Sequence, residues 1–104
     1  MPAFVITEVE VLDEVQGRRY VEIARPSIAL YGGRYLVRGA APEVPEGDWP
    51  AQQRVVILEF PTMQQLHSWY HSAEYAEALR ISRTALSRRL LFVDGAVAEP
   101  PAPP

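Results

Sequence analysis

The fold of this chain is limited most by the order in which two periodicities follow one another. Residues 3–11 (AFVITEVEV), 34–39 (RYLVRG), 54–60 (RVVILEF) and 90–93 (LLFV) are short, rich in β-branched and aromatic residues, and alternate with a period of two. That pattern predicts four strands. The stretches between the first and second, and between the third and fourth, repeat at helical spacing instead. Tyr20, Ala24, Ser27, Ile28 and Tyr31 do so in one, and Tyr75, Leu79, Ser82 and Leu86 in the other.

Strand, helix, strand, strand, helix, strand is the ferredoxin-like βαββαβ order, an α+β fold with an antiparallel sheet and helices on one face. A chain of 104 residues suits one such domain. Local signals mark its joints. Asp13 with Gln16, and Thr62 with Gln65, predict capping boxes. Ser72 predicts a break in the second helical segment and a cap for a further helix. Pro26 predicts a kink in the first helix, or a restart with Pro26 in its first turn. Gly32-Gly33 stops that helix, one glycine supplying a left-handed cap. Residues 40–53, with Pro42, Pro45, Gly47 and Pro50, form a long loop of the kind that often carries function. The Pro-rich residues 96–104 are expected to be extended or disordered, which leaves a domain over 1–95.

Alternation also sorts the strand residues by face. Val5, Thr7, Val9, Tyr35, Val37, Val56, Leu58, Phe60, Leu90 and Phe92 form an almost wholly apolar set, assigned to the helix side. The other face is mixed: Ile6, Leu36, Val55 and Ile57 among Glu8, Glu10, Arg34, Arg38 and Glu59. One helix layer cannot cover both faces. The apolar residues of the second predict a homodimer packed sheet against sheet. Arg38 and Glu59 are expected to pair in that interior.

Composition removes several function classes. There is no cysteine, hence no disulfide, thiol catalysis or thiolate metal site. A net charge of -3 and a pI near 5.3 give no footprint for nucleic acid. No apolar run approaches a membrane span, and the N-terminus lacks a signal-peptide pattern, so a cytoplasmic protein is expected. Every basic residue is arginine. That matters only where a planar, bidentate donor is needed. Phosphate loops, nucleophile elbows and dinucleotide fingerprints are missing.

One resemblance is specific. Tyr31-Gly32-Gly33-Arg34-Tyr35-Leu36-Val37-Arg38-Gly39, then Glu46-Gly47, Glu59-Phe60-Pro61, and Trp69-Tyr70-x-Ser72-x-x-Tyr75 with Arg80 beyond, resemble the domain of unknown function 1330 family. The likeness runs from the first strand to Gly95. It implies a dimeric α+β barrel, in a superfamily of cofactor-free monooxygenases, small cyclases and isomerases, and haem-dependent members. It implies no single activity, because chemistry lives in sites rather than folds.

The candidate residues have bland readings beside sharp ones. His67 and His71, four apart on a helix, form a pair that a metal could use, but a site needs a third oriented ligand. They flank the apolar stripe of Met63, Leu66, Trp69, Tyr70 and Ala73, so two outward histidines are expected and no metal. Arg38 and Glu59 are either a structural ion pair or the catalytic charges. Glu46, Asp48 and Trp49, at the tip of the long loop, are either a lid that grips ligand or a solvated turn with Trp49 on a partner subunit. Tyr31, Tyr35 and Trp69 are core residues or the walls of a pocket for a flat molecule. The functional expectation is a small homodimeric barrel that binds a small, aromatic or polyketide-like molecule. Its chemistry would be a cofactor-free oxidation, cyclisation or isomerisation. A non-catalytic binding or assembly module is the alternative.

Overall fold

The structure is a computed structural model, described here for residues 1–96. The expected disordered tail lies, from residue 97 onward, outside the described residues. The elements are β1 (Ala3–Val11), α1 (Glu14–Leu30), β2 (Arg34–Ala40), β3 (Arg54–Phe60), α2 (Met63–Tyr70), α3 (Ala73–Ala85) and β4 (Leu86–Asp94). The strands form one antiparallel sheet in the order β2-β3-β1-β4, the ferredoxin-like arrangement.

Each helix starts on the cap its sequence offers. The Asp13 side chain accepts from Gln16 N at 3.0 Å, Thr62 Oγ1 from Gln65 N at 3.1 Å, and Ser72 Oγ from Tyr75 N at 3.1 Å. Such caps satisfy amides that the first helical turn leaves unpaired. Gln65 does not complete its box: its side-chain amide donates to Tyr31 O at 3.3 Å and ties α2 to the end of α1. Pro26 neither ends nor restarts α1, which runs unbroken through it. The bond Pro26 removes falls on the exposed side of the helix, where water can take the Glu22 carbonyl. The second correction is at the other end of the chain. Leu86 does not continue α3; it is the first residue of β4, which begins with no loop at all.

The core lies between the sheet and the helices. Ala3, Val5, Leu58 and Phe60 from the sheet meet Ala24 and Ile28 of α1, Leu66 and Trp69 of α2, and Tyr75 and Ala78 of α3. The two glycines after α1 serve different ends. Gly32 takes φ +84°, the left-handed turn that leaves the helix. Gly33 is there for space: a Cβ would sit 2.6 Å from the Phe60 ring and 2.8 Å from Ile28. Gly33→Ala is therefore expected to lower stability by about 1–3 kcal/mol through overpacking. A drop in the urea midpoint at unchanged slope would register it; an unchanged midpoint would mean the ring yields freely.

β2 departs from simple alternation. Tyr35 pairs with Leu58, but Val37 pairs with Ile57 and Arg38 with Val56, so Leu36 is an extra residue; a second irregularity follows at Gly39. A bulge moves the residues after it to the opposite face. Val37, expected under the helices, lies on the outer face opposite Ile57. Arg38, expected on the outer face, lies opposite Val56 on the helix side. Gly39, at φ +82°, supplies the backbone for the second irregularity.

Candidate functional site

The bulge decides where the charges go. Glu59 pairs with Arg34, not Arg38: Arg34 Nε donates to Glu59 Oε1 at 2.7 Å on the outer face. Glu8 accepts from Arg89 on the same face, with Nε at 3.0 Å. The expected Arg38–Glu59 pair is thus corrected, since the two side chains leave the sheet on opposite sides. Around these ion pairs the outer face exposes apolar side chains, Leu36 at 46% and Leu91 at 59%.

Arg38 instead lines, from an exposed position, a cavity of about 390 Å³ between the sheet and α1. Its floor is Val5, Thr7, Val9, Val56 and Leu58; Tyr20, Val21, Arg25 and Ile28 of α1 form its roof. Tyr35, Arg38, Trp69 and Arg88 also line it. The Arg38 guanidinium lies 5.2 Å from the Tyr35 ring centre and that of Arg25 lies 5.9 Å from it, cation–π distances. Burial, with the Tyr20 phenol nearby, raises the Tyr35 pKa above the ordinary tyrosine value. Its hydroxyl therefore stays neutral and able to donate.

A second cluster adjoins the cavity. Arg88 donates to Tyr20 Oη at 2.9 Å, Tyr75 Oη at 3.0 Å and Ser82 Oγ at 3.0 Å, while the two phenol oxygens share a hydrogen bond of 2.7 Å. Burial works against the Arg88 charge, but the phenol oxygens outweigh it and its pKa is raised. Burial is also the main reason the Tyr75 pKa rises, with Tyr20 adding to it. Folding thus holds the Tyr75 proton where the unfolded chain would release it. Stability from this group is complete below about pH 10, the unfolded tyrosine value, and falls as pH rises past it. Urea midpoints measured from about pH 9 upward should decline in the parent protein and decline less in Tyr75→Phe. Equal slopes would contradict this assignment.

Of the residues expected at a site, Arg38, Tyr35 and Trp69 share the cavity; Glu59 does not line it. Tyr31 turns away, its hydroxyl donating to Glu74 Oε1 at 2.8 Å. Trp49 donates to Gln53 O at 3.2 Å within its own loop, and Glu46 and Asp48 are exposed. That loop leaves and rejoins the sheet beside Gly39 and Arg54, both of which line the cavity. His67 and His71 stack on each other at 6.1 Å and are exposed; among the described residues no group of three His, Asp or Glu side chains converges as a metal cage. Arg88 and Arg25 were missed. Arg88 was legible by counting back two from Leu90, which puts it on the same face as Leu90 and Phe92.

An antiparallel β2-β3-β1-β4 sheet, helices on one side and a ligand-sized cavity between the layers define a ferredoxin-like α+β protein. Within that class the chain belongs to the family described as Domain of unknown function (DUF1330), whose model matches residues 2–96. A protein of unknown function from Rhodopseudomonas palustris is similar in structure, with TM-score 0.74 and 17% identity over 92% of this chain and 83% of that one. SnoaB, a cofactor-independent oxygenase from Streptomyces nogalater, has TM-score 0.66 and 9% identity over 96% of this chain and 98% of its own. Rv0793 from Mycobacterium tuberculosis has TM-score 0.60 and 15% identity over 95% and 98%. At these identities the likeness is one of fold. No curated protein matches the chain. Among the described residues no helix is long and apolar enough to cross a membrane.

Proposed function

We propose that this protein binds a small, flat, largely apolar molecule in the cavity between helices and sheet, as a homodimer joined through the outer faces of its sheets. In this reading it acts on that molecule without a resident cofactor, by oxidation, cyclisation or isomerisation. The cavity carries the reading. Its volume of about 390 Å³ falls within the ~300–1,000 Å³ of small-molecule sites, where a module built only for assembly would have a filled interior. Tyr35 and Arg38 orient the ligand and Trp69 is an apolar wall; the loop with Glu46, Asp48 and Trp49 lines none of the cavity and would act on a ligand only by folding over it. Glu59 is assigned to the dimer contact with Arg34, because it faces away from the cavity. The fold likeness to SnoaB, a cofactor-independent oxygenase, supports the reaction class.

Native mass spectrometry of the protein as purified is the direct test. A co-purified small molecule, lost in Val21→Trp, is the expected result; Val21 lines the cavity and is 38% exposed, so the larger ring obstructs entry without entering the core. Retention of the molecule by the blocked variant would remove the cavity from the argument. For the dimer, sedimentation should give twice the monomer mass, and Leu91→Arg should give monomers. A monomeric parent at micromolar concentration would refute the sheet-to-sheet contact.

A further inference from the structure

The charges around the cavity are one-sided in a way the protein as a whole is not. The chain is acidic, with a net charge of -3. Five arginines reach a carboxylate: Arg18, Arg19, Arg34, Arg80 and Arg89. Of the other five, only Arg83 lies elsewhere; Arg25, Arg38, Arg54 and Arg88 all line the cavity. No Asp or Glu lines it, and among the described residues none of these four has a carboxylate partner. Two are otherwise engaged: Arg54 donates to the Ala51 and Gln53 carbonyls, and Arg88 to the phenols and Ser82. Arg25 and Arg38, both exposed, lie against the Tyr35 ring. The bulge after Tyr35 is what brings Arg38 to this side, next to a phenol kept neutral by burial.

Arg25 and Arg38 are exposed at the rim of this apolar cavity with no carboxylate beside them, and an anion is the partner that offers a guanidinium charge-assisted, bidentate bonds. We propose that the ligand of this cavity is an anion, a flat apolar molecule bearing a carboxylate or comparable acidic group, which Arg25 and Arg38 clamp beside Tyr35. The proposal rests on the cavity being the ligand site and adds the charge of what enters it.

Calorimetric titration of the intact protein with 2-naphthoate and its neutral isostere 2-naphthamide separates the two ideas. The expected result is naphthoate binding tighter by about tenfold or more, a margin that shrinks with added salt. In Arg25→Gln/Arg38→Gln the margin should fall to about twofold or less, with thermal unfolding unchanged. Equal affinities in the parent would overturn the anion inference and leave the cavity reading standing. A margin that survives the double variant would overturn the clamp. Binding of neither probe, or binding that persists in Val21→Trp, would overturn both.

Discussion

Trp69→Ala is expected to cost about 3–5 kcal/mol of folding stability, the range for removing a large aromatic side chain from a packed interior. Trp69 is 1% exposed. Its ring lies 4.2 Å from that of Tyr75 and 5.3 Å from that of Phe60, and so joins α3 and β3 through α2. Its indole N–H donates to Ser27 Oγ at 3.0 Å and fixes α2 against α1. Because Trp69 also walls the cavity, the space left by alanine merges with one already present, and little collapse is available to offset the loss. Small domains have only about 5–15 kcal/mol in total, so the variant sits near the edge of folding. Each kcal/mol corresponds to about 4–8 °C at this size, so calorimetry should record a fall in Tm of well over ten degrees. Trp69→Phe keeps a ring and should cost about 1–2 kcal/mol, since only the hydrogen bond and part of the packing go. A Trp69→Ala loss below about 1 kcal/mol would mean that the cavity wall bears little of the core's packing.

The sequence made the element order legible because each segment carries its own period and its own cap. Asp13, Thr62 and Ser72 announce three helix starts, and all three caps form as hydrogen bonds. The site was less legible, for two physical reasons. Alternation assigns faces only while the register holds, and the extra residue Leu36 breaks it within a single strand. The sequence around it has the same apolar and basic residues that an unbulged strand would show, so alternation alone puts Arg38 on the outer face beside Glu59. Arg88 was lost differently. Helical spacing runs on through Leu86, the apolar run begins only at Leu90, and nothing in Arg88-Arg89 marks a strand between them. Its partners Tyr20 and Tyr75 lie 68 and 13 residues away, and no local pattern announces contacts of that kind. Tyr35 and Trp69 are legible as cavity-lining residues because aromatic residues at core positions look the same whether they pack against protein or border open space.

Arg88→Leu is the second large effect, expected at about 2–4 kcal/mol, from the loss of three hydrogen bonds made by a charged donor in a partly buried place. Leucine fits the apolar surroundings but leaves the phenols of Tyr20 and Tyr75 with only each other, and Ser82 Oγ with only the Leu79 carbonyl it donates to at 2.6 Å. The cost should therefore be shared with its partners. Tyr75→Phe alone removes one acceptor of the cation; once Arg88 is gone, the same change removes less. A double-mutant cycle on urea unfolding should give a coupling of about 0.5–3 kcal/mol between positions 75 and 88. Additive losses would mean that the three groups are neighbours without being a network. Arg88→Lys distinguishes charge from shape: an ammonium keeps the cation but not the planar fork that reaches both phenols and Ser82, so partial recovery is expected. Full recovery by lysine would reduce Arg88 to a point charge. Full equivalence of lysine to leucine would make the directed N–H bonds the whole of its contribution.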